Sequence, residues 1–575
     1  MRHGTRLLLT NVYAPYGITD DEHEASFGML ADALKVHLTY GQGVHSPQAA
    51  QPSFALHLLA TNVSVPTTVL DFPTWDQFVR ELGKGYTHVG ISFIMANTLK
   101  AKRMAEHVRA AHPGMRIVLG GFGSMVPGIE DLVPNDGVCR IEGVRWLREY
   151  LGEDPEAPIV HPVLPFLRMM KVYGIDVARL LKSCLVIAGL GCKWGCDFCA
   201  ATLLMGYRKY VPLVRDGYEL FELCRQAEAQ CGTVSLKLQD DNFLKNSSMG
   251  PELLAAMERH GKAYRFTAYG SADAVSRLGA DFLVRLGIEQ VWIGIESRSR
   301  RFEKLDGVDL HALIGELRRK GVCVTTSSML FMEHHGREEV AAEIEWALSL
   351  HTEIHQFAIF TPIPGTCAYD RMYAKGLLPR KPDLRALHGM TLVTLNPDIP
   401  ADEARRIQLD AYRRKYAIDG PASLNMCRTM ARGYLQAVAD CEERERQGLR
   451  WDPETLGYVP TDHPGPDTYM HLRIAEMRER AVRAWPMLLA CRVLAPNPQA
   501  RAKAKDTERL YREAFGAPSL FVRAASFGVL LFALLEEVKI RVHRRFTGLE
   551  YIPYQPRMQR TRYRGNARSR APATG

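Results

Sequence analysis

Residues 183–200 read "SCLVIAGLGCKWGCDFCA". The apolar run Cys184–Ala188 is too short for a helix and breaks at Gly-Leu-Gly, so it predicts a buried strand that runs into a loop. Five more strand signals follow at a spacing of roughly 30 residues, the length of one strand–helix–strand unit. They are "VSLKLQDDNF" from Val234, "YRFTAYGS" from Tyr264, "QVWIGIES" from Gln290, "CVTTSSMLFM" from Cys323 and "IHQFAIFTPIPG" from Ile354. Amphipathic stretches separate them; in "EEVAAEIEWALSL" Val340, Ile344 and Leu348 share one helical face. Six such units predict an α/β fold with a partial (β/α)6 barrel of the TIM type over 178–400, working at the carboxyl ends of its strands.

On the amino side, 1–152 alternates strands ("TRLLLTNV", "THVGISFIM", "MRIVLGG", "GVCRIEG") with helices ("TLKAKRMAEHVRAAH", "RWLREYLG"), which predicts a doubly wound, Rossmann-like domain. Its strand ends, where such sheets bind ligands, read Asn11, Ser92, Gly120-Gly121 and Glu142-Gly143. The glycine pair either lets a bulky ligand approach the backbone or only turns the chain. The Pro-rich stretch within 153–177 reads as a linker. On the carboxyl side, 401–550 is helical and expected to close over the barrel mouth, and 551–575 reads as a basic, poorly ordered tail.

The 575 residues are too many for one core, and 46% hydrophobic with 24% charged is ordinary for a globular protein. The net charge of +9 is concentrated at the end: from Arg541 onward nine arginines are opposed only by Glu550. A uniformly basic nucleic-acid surface is therefore not expected. The start resembles no signal peptide, and no apolar run is long enough to span a bilayer. "AASFGVLLFALL" at 524–535, between Arg523 and Glu536, reads as a core helix or as one lying on an anionic membrane. Twelve cysteines without paired spacing suggest a reducing, cytoplasmic setting.

Cys192, Cys196 and Cys199 fall in the loop after the first barrel strand, and Gly195 frees that loop to turn. A closed zinc site wants four protein ligands, usually as two pairs, and a ferredoxin cluster wants four cysteines. Cys184 and Cys224 have no motif spacing to the trio, while Cys323 and Cys367 read as small buried hydrophobes. Three thiolates on a four-iron cluster leave one iron open for a ligand.

"CKWGCDFC" resembles the Cys-x3-Cys-x2-Cys signature of radical S-adenosylmethionine (SAM) enzymes, including the aromatic Phe198 before the last cysteine. The resemblance implies a [4Fe–4S] cluster on Cys192, Cys196 and Cys199. The cluster would bind SAM and cleave it to a 5′-deoxyadenosyl radical, fed by a one-electron reductant such as flavodoxin or ferredoxin. It also implies SAM contacts from Phe198 near the adenine, from Asp240 and Asp241 to the amino group, from Glu296 to the ribose and from Pro364 at the last-strand turn. Helix capping by Asp241 or Glu296, and a purely structural turn at Pro364, stand beside these roles.

A doubly wound domain ahead of such a barrel resembles the cobalamin-binding subgroup. Asn11, Ser92, Gly120, Gly121, Phe122, Glu142 and Gly143 would then line the cobalamin site. The Asp-x-His-x-x-Gly cobalt-ligand motif is absent, and "CRIEGVRWL" keeps only Glu142 and Gly143 of the usual Gly-Glu-Gly-Glu run, so a member without cobalamin is the alternative. The resemblance implies cobalamin-dependent methyl transfer to an unactivated carbon of a small-molecule or lipid-like substrate. Radical cyclisation, rearrangement or oxidation without methylation is the runner-up, and a non-catalytic cobalamin or iron–sulfur sensor stands last. A tRNA methylthiotransferase would need cluster cysteines in the first domain, and none precedes Cys139.

Overall fold

The structure, a computed structural model, describes residues 4–16, 37–246, 248–299, 302–463, 465–552 and 555–565. The chain opens with strands β1 (Leu7–Asn11), β2 (Gln48–Ala50), β3 (Thr67–Asp71), β4 (His88–Ser92), β5 (Arg116–Gly120) and β6 (Gly137–Val138). All but β2 join one parallel sheet in the order β3-β1-β4-β5-β6. Counted within the sheet this is the doubly wound order 2-1-3-4-5, whose switch point lies between β1 and β4. Successive residues of β1 feed opposite faces: Leu8 packs with Phe78, Met104 and Val108, whereas Leu7 and Leu9 pack with Leu56, Ala60 and Leu147. Helices Trp75–Leu82 and Thr98–Ala111 cover the first face, and Phe54–Thr61 and Gly143–Leu151 the second.

The stretch read as a linker, 153–177, carries three short strands: β7 (Leu164–Pro165), β8 (Met169–Val172) and β9 (Ile175–Asp176). β8 pairs antiparallel with β2 and β9, so the prolines interrupt a folded segment. Next come β10 (Cys184–Val186), β11 (Gly189–Gly191), β12 (Tyr210–Pro212), β13 (Ser235–Leu238), β14 (Arg265–Tyr269), β15 (Ile288–Glu296), β16 (Cys323–Leu330) and β17 (Ile354–Ile359). β10, β13, β14, β15, β16 and β17 form a parallel sheet in chain order, with β7 antiparallel beside β10. Each of the six expected strand signals supplies one of these strands. At the β17 edge, helix Ala401–Asp419 occupies backbone groups that would otherwise be open: Tyr412 Oη accepts from Phe357 N at 3.0 Å, and Gln408 Nε2 donates to Phe357 O.

Beyond 400 the chain is mainly helical, with one departure. β18 (Leu449–Asp452) and β19 (Gly457–Pro460) form a hairpin in which Trp451 faces Tyr458, ring centroids 5.3 Å apart. The helices also sit at the opposite end of the sheet from the one expected. Gly433 packs so closely on Gly321, in the turn before β16, that a Cβ at 433 would lie 2.0 Å from its Cα. Arg473 Nη1 donates to Tyr264 O just before β14 (2.7 Å), and Arg480 pairs with Glu289 at the start of β15 (3.0 Å). Helices Ala422–Arg446 and Thr468–Ala484 thus brace the amino ends of the strands, leaving the carboxyl ends to loops.

The basic tail is the other correction. β20 (Gln559–Tyr563) pairs antiparallel with β3, in register from Gln559↔Asp71 to Tyr563↔Thr67, and so completes the first sheet. Arg568 and Arg570 lie outside the described residues. Arg560 Nε donates to Glu81 Oε1 at 2.8 Å, beside Lys84 and Tyr86. Burial alone would raise the Glu81 pKa; hydrogen bonds from Arg560, Lys84 and Tyr86 outweigh it and bring it down to about 2. A depressed carboxylate contributes stability present above its ordinary pKa and lost as pH falls toward the folded value.

Two outcomes follow from the β20 pairing. Truncation after Glu550 bares the β3 edge, so amide hydrogen exchange at Thr67–Asp71 should accelerate. Arg560→Met should lower stability at neutral pH by about 1–3 kcal/mol and flatten the decline between about pH 4.5 and 2, read by chemical denaturation across that range.

Candidate functional site

The cysteine loop leaves the sheet under the control of two carboxylates. Asp240, just past β13, is 1% exposed and accepts from Ala188 N (3.0 Å), Gly189 N (2.8 Å) and Tyr210 Oη (3.3 Å). Asp241 accepts from Gly191 N at 3.0 Å. Gly191 has φ +83°, so this glycine turns the chain into Cys192. Gly195 serves a different end from the one expected: the Tyr207 ring lies where its Cβ would be, 2.3 Å away, and Tyr207 Oη donates to Gly195 O at 2.9 Å. Burial raises the Asp240 pKa to about 7 against the three donors.

Cys192, Cys196 and Cys199 are all half-buried on this loop. Cys192 Sγ accepts from Trp194 N at 3.4 Å, and Cys199 N donates to Cys196 O at 3.2 Å. Asp197 between them ties the loop to the far side of the sheet. Its carbonyl accepts from Ala368 N (2.9 Å), and its Oδ2 accepts from Arg371 Nη1 (2.8 Å), which in turn reaches Glu333 through Nε (3.2 Å). Helix Cys367–Ala374 follows β17, so the loops of the first and last parallel strands are pinned together. Phe198 packs with Met332, Phe360 and Met372 and edge-on to Phe302, centroids 5.9 Å apart.

Lys304 faces the same loop. Burial opposes its charge, but Glu296 and the Cys196 and Cys199 sulfurs outweigh burial and raise its pKa. Glu296 ends β15 at φ +52°, an uncommon conformation for a side chain of this size, and pairs with Lys304. The turn behind it is held by Glu343, which accepts from Ser297 Oγ (2.7 Å), Arg298 N (2.8 Å) and Ser299 N (2.8 Å). Among the described residues Glu296 forms no helix cap; its carboxylate is held by Lys304. Pro364 is buried in the turn after β17, where Thr366 Oγ1 caps helix Cys367–Ala374 by accepting from Tyr369 N. Cys323 is buried as expected, whereas Cys367 is exposed at the start of that helix.

In the first sheet, Asn11, Ser92 and Gly120 stand side by side in register at three strand ends, across the switch point. Asn11 Oδ1 accepts from Phe72 N (3.1 Å), while its buried Nδ2 has no partner among the described residues. A Cβ on Gly120 would meet open space; one on Gly121 would strike Phe93 O at 2.7 Å, so Gly121 (φ +81°) is fixed by the chain's own turn. Phe122 is half-buried on the short turn Phe122–Met125, and helix Ala201–Met205, which follows the cysteine loop, packs on that turn. Glu142 and Gly143 do not join this group. Glu142 caps helix Gly143–Leu151 by accepting from Val144 N (2.7 Å) and Arg145 N (3.0 Å), and Gly143 lies against Leu59.

Lys304, Arg371 and Glu343 belong to the site through tertiary contact, with no local sequence motif to mark them; Asp197 alone could have been suspected, from its place inside the cysteine motif.

No family model matches the chain. It is 25% identical over 198 residues to an uncharacterized methyltransferase, PH0819, of Pyrococcus horikoshii, covering 34% of this chain and 42% of that protein. The chain thus spans less than half the length of that relative. Among solved structures it is similar to the radical S-adenosylmethionine methyltransferase TsrM from Kitasatospora setae. With cobalamin and a [4Fe-4S] cluster bound, the TM-score is 0.47 at 13% identity, over 84% of this chain and 100% of that one. With tryptophan substrate and the SAM analog aza-SAM bound, it is 0.44 at 16% identity, over 66% and 77%.

Because Arg371 holds Asp197, Arg371→Met should free the loop. Alkylation of Cys192, Cys196 and Cys199 in the metal-free protein is then expected to speed up about tenfold, read by peptide mass spectrometry, with Cys323 unchanged as an internal control. For Asp240, a folded-state pKa above the ordinary value means that stability is greatest at low pH and declines as pH rises from about 4 to 7. Asp240→Asn should remove that segment of the pH–stability curve and, by turning one acceptor into a donor, cost about 1–3 kcal/mol.

Proposed function

We propose that this chain is a radical SAM enzyme in which Cys192, Cys196 and Cys199 hold a [4Fe–4S] cluster, and that its most favoured reaction is cobalamin-dependent methyl transfer to an unactivated carbon of a small-molecule or lipid-like substrate. The observation that carries the reading is the trio itself: three half-buried thiols on one loop at the carboxyl end of the first of six parallel strands. The six-strand sheet is read as the partial barrel of that family, and the Pyrococcus relative is itself described as a methyltransferase. Bound there, the cluster and SAM supply a one-electron route to a carbon radical, and cobalamin a methyl carrier.

The chain's own part is to position and to exclude. Asp240 and Asp241 fix where the loop begins, and the Asp197–Arg371–Glu333 chain fixes how far it projects. Burial, together with Glu296, Cys192 and Asp197, raises the Cys196 pKa; Lys304 beside it acts in the opposite direction, toward the ionised, metal-binding form. Phe198, Phe302 and Phe360 make one wall apolar, which keeps water from the reacting carbon. Glu296, paired with Lys304, would accept from the ribose hydroxyls of bound SAM. Asp240, fully engaged with backbone donors, supports the loop and leaves SAM amino-group recognition to the more exposed Asp241.

In the first domain, the Asn11 amide and the open space above Gly120 fit a ligand across the switch point, and no histidine ligand to cobalt is required of them. Engagement of Glu142 as a helix cap favours a second reading, a member that keeps the fold without cobalamin; radical cyclisation, rearrangement or oxidation without methylation is the alternative reaction. The enzyme would work in a reducing compartment with a flavodoxin- or ferredoxin-type electron donor.

Anaerobic reconstitution with iron, sulfide and hydroxocobalamin tests both cofactors at once, through metal analysis and the visible spectrum. Dithionite and SAM should then yield 5′-deoxyadenosine. Cys192→Ala, Cys196→Ala and Cys199→Ala are each expected to abolish it, and Cys367→Ala to leave it within about twofold. Retained turnover in any of the three would end the reading. Iron without cobalt would move it to the cobalamin-free alternative.

A further inference from the structure

We infer that the outer face of helix Leu520–Thr547 is a docking surface for an anionic lipid membrane, along which the helix lies flat. The helix has 28 residues and three fully buried ones, Ala533, Glu536 and Ile540, which face the protein. Val522, Val529 and Leu530 join them against Trp485, Leu488 and Tyr511, and the helix also packs on the turn Gly43–His45. That side accounts for how the helix is held.

Among the described residues, the opposite side joins no hydrophobic cluster. Leu520 (83% exposed), Phe527 (67%), Leu531 (59%), Leu535 (51%), Val538 (59%) and Val542 (51%) stand in solvent. At about 100° per residue these six fall within an arc of about 80°, a continuous apolar stripe along the helix. A monomer in water rarely exposes so long an apolar row without a partner.

Charge selects the partner. Arg523 and Arg541 fall on one margin of the stripe, Lys539 stands on the other side among the exposed Phe521, Phe532 and Phe546, and Arg545 lies in the last turn, all exposed. The only acids on the helix, Glu536 and Glu537, turn inward; Glu537 takes Arg541 at 2.9 Å and Glu536 lies 3.9 Å from Lys539. A stripe edged by cations is complementary to acyl chains below anionic headgroups. A second copy of the same face would set cation against cation, with no acid on that face of the helix to compensate. Favourable placement of Arg544 and Arg545 at a helix carboxyl terminus explains those two alone, and neither Arg523, Lys539 nor the stripe. No helix among the described residues is long and apolar enough to cross a membrane, which leaves the interface. The inference stands on this surface and is independent of the chemistry proposed for the cysteine loop.

The test is sedimentation of the full-length protein with extruded vesicles. Phosphatidylcholine vesicles containing phosphatidylglycerol should bind it, and phosphatidylcholine alone should bind at least about tenfold more weakly, with binding to the anionic vesicles falling as salt rises. Leu531→Glu with Val538→Glu should lower binding by about tenfold or more. Lys539→Glu with Arg523→Glu should weaken the anionic preference while leaving binding to phosphatidylcholine alone unchanged. All four positions point outward, and unchanged thermal melts would verify folding. No binding to either vesicle overturns the inference. So does a concentration-dependent dimer, found by analytical ultracentrifugation without lipid, that dissociates in the Leu531/Val538 variant while vesicle binding is absent. Truncation of the basic tail is no substitute for these variants, since β20 belongs to the first sheet.

Discussion

The placement of the candidate site depends on a buried carboxylate gripping main-chain amides. Asp240 and Asp241 leave β13 and take the amides of Ala188, Gly189 and Gly191, the last residues before the cysteines. An amide at the end of a strand has lost its ladder partner, and a buried one without a substitute is costly. A carboxylate offers several lone pairs and so can replace the missing partner for two amides at once. The arrangement lies close to its electrostatic limit: no cation faces Asp240 in this set of contacts, and burial raises its pKa despite three donors. The start of the loop is thus positioned by uncharged donors, a short-range interaction that fixes distance and direction together.

From that anchor the rest of the site follows by closure. The cysteine loop runs from β11 to Asp197, which the helix after β17 holds through Arg371 and the Ala368 amide. Six parallel strands, whose sheet order never returns to its start, are therefore bridged by loops at the carboxyl ends of the first and last. The helices beyond 400 brace the amino ends, where Gly321 and Gly433 let two backbones touch. Rigidity is concentrated at one end of the strands and chemistry-bearing loops at the other. The first sheet presents its own carboxyl ends to the same region, since the turn Phe122–Met125 meets the helix that follows the cysteines.

The six parallel strands, the doubly wound character of the first domain and the cysteine trio were legible because each is a local pattern of period, spacing and residue types at strand ends, whereas β3, which sets the order of the first sheet, was not among the strands read. What was not legible required knowing which surfaces meet. Asp240 and Glu142 are both acids at strand ends, and one-dimensional spacing does not separate a ligand-facing carboxylate from one that caps amides. Glu142 looked available for a ligand because it stands at a strand end and is what remains of the Gly-Glu-Gly-Glu run. "QRTRY" reads as a solvated basic tail until β3 presents it with an unpaired edge and Glu81 with a partner for Arg560. The C-terminal helices show amphipathic faces in sequence, but an apolar face does not state whether it covers the top or the bottom of a sheet.

That same limit reshapes the charge balance. The excess at the C-terminus looked like one basic tail, yet its members have separate physical fates. Arg560 is taken up by Glu81 within the first sheet, and Arg541 by Glu537 on the last long helix. Arg541 also flanks, with Arg523 and Lys539 upstream of that excess, an apolar stripe that the core does not use. A long-range field would have required these charges to act together; once the chain folds they are local, each tied to the surface it borders. Net charge is therefore a poor guide to what this protein binds. The informative quantity is the alignment of cations with exposed apolar area, which exists along one helix face and only once the inward side of that helix has been defined by its packing.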